Sequence, residues 1–152
     1  MRYSPALSIA VALSLVAHAA RAQSMDPALR GSWTLNVAKS TFGPDGPPSA
    51  GIVSWTEHGW VFALVFTNGY VYADAVVTDN GCTLLGVAAD YTCHIEVITP
   101  QHVRITLTQA TTIRRVGDIE LVDSNTTRAT HHVTPVSGAP YTETTIWLRD
   151  RE

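Results

Sequence analysis

Apolar and polar positions alternate along most of this chain, and the pattern is densest between Trp60 and Val77. Two runs, Trp60 to Thr67 and Tyr70 to Val77, flank Asn68-Gly69. Asn-Gly between aromatic and β-branched runs predicts a two-residue type I′ hairpin, because both central residues of that turn need φ > 0. In that register Thr67 faces Tyr70, Phe66 faces Val71, Leu64 faces Ala73, Phe62 faces Ala75 and Trp60 faces Val77. One face then carries Trp60, Phe62, Leu64 and Phe66 against Val71, Ala73, Ala75 and Val77, large against small. The other face, Val61, Ala63 and Val65 against Tyr72, Asp74 and Val76, is mixed. The first face has to be buried, and a slip of one residue would expose it.

The same period of two recurs on both sides of this hairpin. Gly31 to Asn36 predicts a first strand, with one helical turn over Ala38 to Thr41 capped by Asn36. Phe42 to Gly51, rich in Pro and Gly, is an irregular loop, and Ile52 to Glu57 is a second strand. After a turn at Thr78 to Gly81 comes a second hairpin ending at Ile98. His102 to Thr108 alternates cleanly, with Val103, Ile105 and Leu107 on one face. From Gln109 to Val122 two readings compete. Either Gly117-Asp118 is a tight turn that sets Arg115 opposite Glu120, or the turn falls near Gln109-Ala110 and Gly117 is a bulge. Thr126 to Thr134 and Tyr141 to Arg149 are the last strands. Eight to ten short strands, turns every eight to twelve residues and almost no helix make the chain all-β. A small antiparallel up-and-down barrel fits best, since closure removes open edges and most connections are short hairpins. A β-sandwich is the alternative.

The amino terminus lies outside this pattern. Arg2 precedes an apolar stretch, Ala6 to Ala20, followed by Ala20-Arg21-Ala22 with small residues where a signal peptidase reads. Residues 1–22 therefore read as a secretory signal peptide, with Ala17-His18-Ala19 as a second cleavage site. Residues 23–152 form a single domain, and no later apolar run is long enough to span a membrane. The expected address is exported, periplasmic or extracellular. The net charge of −3 becomes more negative once Arg2 and Arg21 leave with the leader. No basic run exists, which argues against nucleic acid as a partner.

Cys82 and Cys93 are the two cysteines of the chain. In an oxidising compartment an even pair reads as a disulfide. With Gly86 to Ala89 as a four-residue loop, Thr83 faces Thr92 and Cys82 faces Cys93, at a Cα separation of about 4.5–5.5 Å that a disulfide can bridge.

Gly31-Ser32-Trp33 matches the Gly-x-Trp motif that opens the first strand of lipocalins. The longer string from Gly31 to Phe42, Gly-Ser-Trp-Thr-Leu-Asn-Val-Ala-Lys-Ser-Thr-Phe, resembles an exported bacterial lipocalin-like family. The resemblance implies a small lipocalin-like antiparallel barrel. It also implies that Trp33 packs at the closed end, with a late arginine, Arg149, lying across it. The lipocalin Thr-Asp-Tyr motif has no counterpart at its usual place, because Thr78-Asp79-Asn80 comes too early, and the first loop is short for a ligand lid.

An eight-stranded interior either fills with side chains or holds one small ligand. Trp55, Trp60, Phe62, Leu64, Phe66, Ala73 and Ala75 are the expected ligand-binding wall, and equally serve as plain core. The expected ligand is a small apolar molecule, or the barrel serves a structural envelope role, with Tyr70 and Tyr72 offering an outer face to a partner. The alternative is a cofactor-free barrel enzyme, an isomerase, cyclase or hydrolase acting on a small hydrophobic substrate through Asp74, Tyr72 or His94. His131 and His132 are adjacent in a strand, point to opposite faces and cannot share a metal. His94, Glu96, His102 and Arg104 fall on the solvent side. No metal-ligand spacing and no nucleophile motif appears, and no cofactor is expected. Oligomeric state is not encoded in the pattern.

Overall fold

The computed structural model describes residues 27–56, 59–78, 81–86 and 90–150, with backbone alone for 70–78, 81 and 83–86. Residues 1–22, read from sequence as a signal peptide, lie outside these residues. The chain forms ten antiparallel strands: β1 (Gly31–Leu35), β2 (Ala50–Thr56), β3 (Gly59–Phe66), β4 (Gly69–Thr78), β5 (Gly81–Gly86), β6 (Tyr91–Thr99), β7 (His102–Gln109), β8 (Thr112–Asp123), β9 (Thr126–Val133) and β10 (Tyr141–Arg149). Each strand pairs with its neighbours in sequence, and β10 closes on β1, so the sheet is a closed up-and-down barrel. A closed ring sets the sandwich alternative aside. Among the described residues no helix is long and apolar enough to cross a membrane.

Two short 3-10 turns, Pro27–Leu29 and Val37–Lys39, flank β1. Asn36 caps the second, its side chain accepting from the Lys39 N–H at 3.2 Å. Because β1 and β10 touch, the barrel has two distinct ends. One carries the Pro27–Leu29 turn and the β8–β9 turn. The other carries the long segments 36–49 and 134–140, with the β3–β4 and β7–β8 turns.

The central hairpin forms with a register two residues from the expected one. Phe66 pairs with Gly69, Leu64 with Val71, Phe62 with Ala73 and Trp60 with Ala75. The turn is Thr67-Asn68, and Gly69 takes φ +150°. Ala110 is the one non-glycine residue with positive φ among those described. Asn68 therefore does not adopt the φ a type I′ turn demands, and glycine supplies the positive φ one residue later. A shift of two leaves the β3 side chains on their expected face, since the strand repeat is two.

The β7–β8 connection is the second correction. The turn falls at Ala110-Thr111, with Ala110 at φ +53°, so Gly117-Asp118 is not a turn. Nor is Gly117 a bulge. It pairs regularly with Ile105 on one side and His131 on the other. The irregularity lies between Leu107, which faces Arg115, and Thr108, which faces Ile113, leaving Arg114 as the extra residue. Arg115 consequently does not meet Glu120; Arg128 holds Glu120 at 2.6 Å instead.

Cys82 pairs with Cys93 and Thr83 with Thr92, as the spacing requires, and a disulfide joins the two cysteines at a Cα separation of 5.0 Å. The core is aromatic: Trp33, Trp55, Trp60 and Trp147 are buried with Leu35, Val53, Ile119 and Ala129.

Candidate functional site

Alternation sends one face of each strand with described side chains into the barrel, and the two ends of the interior differ. At the closed end Trp33 is fully buried. Its indole N–H donates to the Leu29 carbonyl at 3.1 Å, tying the Pro27–Leu29 turn across the opening. Arg149 lies over the Trp33 ring, 4.1 Å from its centroid. The guanidinium also donates to the Ser124 carbonyl at 2.9 Å, the Arg30 carbonyl at 2.8 Å and the Ala28 carbonyl. One side chain thus satisfies three loop carbonyls and caps an aromatic face, a job that needs the planar fork of arginine.

Above this floor is a lumen of about 510 Å³. Trp55, Trp60, Phe62, Leu64 and Phe66 all line it. Trp55 and Trp60 meet at 5.2 Å between centroids, tilted by 32°. Trp147, which sequence reasoning did not place in the wall, stands across from Phe62 at 6.2 Å. Ala73 and Ala75 pair with Phe62 and Trp60 along the backbone; their side chains lie outside the described set. The same holds for Tyr70, Tyr72 and Asp74, which pair with Val65, Ala63 and Val61.

The opposite wall, formed by β8, β9 and β10, is polar at mid-height, and this was not foreseen. Gly117, His131 and Glu143 lie side by side across three strands. Arg115, two residues from Gly117, reaches across β9 to Glu143 at 3.1 Å. Thr145 sits below; it accepts the Trp147 indole N–H at 2.8 Å. His131 is packed around by protein, and what surface it keeps faces the lumen. Its Nδ1 has no hydrogen-bond partner. The ring abuts Gly117, where a Cβ would come within 2.6 Å of Nδ1. Burial, reinforced by the positive charge of Arg115, pushes the imidazole pKa down to about 3, so the ring is neutral at physiological pH. Tyr141 rims the lumen above this band, and burial together with Glu143 raises its phenol pKa.

The outer face of the barrel carries ordinary charge ladders. Asp118 accepts from Arg104 Nε at 3.0 Å and pairs with His102 Nε2 at 2.8 Å. Burial alone would raise its pKa, but these hydrogen bonds outweigh it and hold the carboxyl below the usual range. His94 and Glu96 are exposed, so His94 is not a lumen group. His132 points out and meets Thr142 at 3.0 Å, opposite in direction to His131. No group of three or more metal-ligating side chains occurs among the described residues.

The arrangement can enclose a small molecule with its apolar body against indole and phenyl rings. It also sets a donor-and-acceptor band at one level of the wall. The feature missed from sequence is that band: Arg115, His131 and Glu143. His131 alternates with Thr127, Ala129 and Val133, which marks its face, but Glu143 and Arg115 come from other strands, 12 and 16 residues away. No family model, no curated protein and no solved structure matches this chain.

Proposed function

We propose that this is an exported binding protein that carries a small apolar molecule in the lumen of its barrel. The observation that carries the reading is the lumen of about 510 Å³ with an aromatic wall, within the range of about 300–1,000 Å³ usual for small-molecule sites. A filled core would close over such rings, because interiors pack to near-crystalline density. The Cys82–Cys93 disulfide supports an oxidising compartment, periplasmic or extracellular, in line with the leader read in residues 1–22. The resemblance of Gly31 to Phe42 to an exported lipocalin-like family points the same way. The Arg149-over-Trp33 closure leaves the other end as the entrance.

Native mass spectrometry of the freshly purified protein, with titration by a neutral fluorescent dye that brightens in apolar surroundings, tests this. Saturable dye binding that fills the lumen and is weakened by Phe62→Ala is expected. A bare protein that neither binds the dye nor responds to that substitution would exclude carriage.

A further inference from the structure

The polar band specifies what the carried molecule has at one end. We propose that the lumen selects an uncharged oxygen-bearing head group, an alcohol or a ketone, over a carboxylate on the same hydrocarbon body. The inference rests on the carrier reading above and adds the chemistry of recognition.

Three groups define the band, and together they carry no net charge. Arg115 and Glu143 neutralise one another across β9 at 3.1 Å. The contact joins one guanidinium nitrogen to one carboxylate oxygen, so other N–H groups of Arg115 and the second oxygen of Glu143 remain to bond a guest. His131 lies between them on the central strand. It is neutral, and among the described residues neither of its nitrogens has a partner. The Nδ1 edge is held against the Gly117 backbone, which turns the Nε2 side of the ring to the lumen.

The orphaned Nδ1 is sealed against Gly117, so the ring meets a guest through its Nε2 side. A hydroxyl or carbonyl meets it without adding charge. The hydroxyl can donate to a ring nitrogen or to Glu143 and accept from Arg115; a carbonyl can accept from Arg115. A carboxylate fits badly. The guanidinium that would receive it is already paired, and the incoming anion would be buried beside Glu143, whose side chain is 14% exposed. Two like charges in one poorly solvated space repel. A primary amine meets the mirror problem beside Arg115. Below the band, among the described residues, the wall offers a polar chain Thr127 and Thr145 alone, and Thr145 already holds the Trp147 indole. The guest therefore sits with its hydrocarbon against Trp55, Trp60 and Phe62 and its head at Arg115, His131 and Glu143.

Displacement of the bound neutral dye by three compounds sharing a twelve-carbon body, dodecanol, dodecan-2-one and dodecanoate, tests the proposal at pH 7.5. Dodecanol or dodecan-2-one is expected to compete at least about tenfold better than dodecanoate. Glu143→Gln, which frees the Arg115 guanidinium at nearly constant shape, is expected to reverse the order, with dodecanoate gaining at least about tenfold. Dodecanoate binding as tightly as the neutral pair in the unaltered protein overturns the proposal while leaving carriage intact. An unchanged order in folded Glu143→Gln does the same. Should that variant fail to fold, the comparison within the unaltered protein decides alone. If neither the dye nor any of the three binds, the carrier reading falls and the head-group proposal falls with it.

Discussion

The two ends of the barrel are made from the same strands and treat polar atoms in opposite ways. At the closed end the Trp33 N–H has its carbonyl, and Arg149 spreads over three more while covering an indole face. At the level of the band, His131 Nδ1 has no partner and Arg115 touches Glu143 through one contact. A hydrogen-bonded indole under a stacked guanidinium is what stability needs. Unspent N–H groups of Arg115 beside an aromatic wall are what a receptive surface needs. The contrast implies that substitutions at the two ends separate into losses of folding and losses of binding.

The largest effect is expected at the floor. Trp33→Ala should lower unfolding stability by about 4 kcal/mol, since it removes a fully enclosed ring and the anchor of Leu29. Urea denaturation reads this directly. If dye affinity of the still-folded fraction fell as far, the division between the ends would be false. Replacing Cys82 and Cys93 by serine frees a short loop of the unfolded chain and should cost about 3 kcal/mol at most. That loss should spare the contrast between the ends, and should vanish when the parent protein is measured under reducing conditions.

Arg149→Met keeps bulk over Trp33 but strands three carbonyls, with an expected loss of about 2 kcal/mol and little change in dye binding. An acid titration sharpens the other side of the comparison. The unfolded chain protonates His131 below about pH 6.5, whereas the folded ring stays neutral down to about 3. The unfolded state therefore binds more protons in that window. Stability is intact above pH 6.5 and declines as pH falls toward 3, by up to about 1.4 kcal/mol per unit. At pH 5 the loss relative to pH 7.5 should approach about 2 kcal/mol, and His131→Gln should remove that part of the slope. Arg115, Asp118 and His132 are the ionisable groups that act on this ring, and all three are retained in the variant. An identical slope in parent and variant would mean that the imidazole is not held neutral by the fold.

Much of this architecture is legible from residue order because hairpins are local. The bounds of β10, the opposition of Cys82 and Cys93 and the shared face of Trp60, Phe62, Leu64 and Phe66 each follow from a period of two plus one nearby turn. The register of the central hairpin was misread because Asn68-Gly69 pointed to a turn with two positive φ angles, and only Gly69 has one. The face assignment survived since the error was an even number of residues. The polar band was out of reach for a different reason. Its ion pair joins Arg115 to Glu143 over an intervening strand, and Arg115 was assigned to a local partner by one of two competing turns. The bulge at Arg114 resets alternation midway along β8, and nothing in the local pattern announces it.

Closure of the ring also has a kinetic meaning. Nine of the ten pairings join strands consecutive in the chain, and the tenth ties β1 to β10 by matching Trp33 with Arg149. Short hairpins can zip early, but this last seam must gather two segments from opposite ends of the domain, with the loop-closure entropy that such a span entails. The stacked arginine and tryptophan sit on that seam beside the Thr34–Leu148 and Leu35–Trp147 pairs, so the contact that shuts the cylinder is also the one that spans the longest stretch of chain.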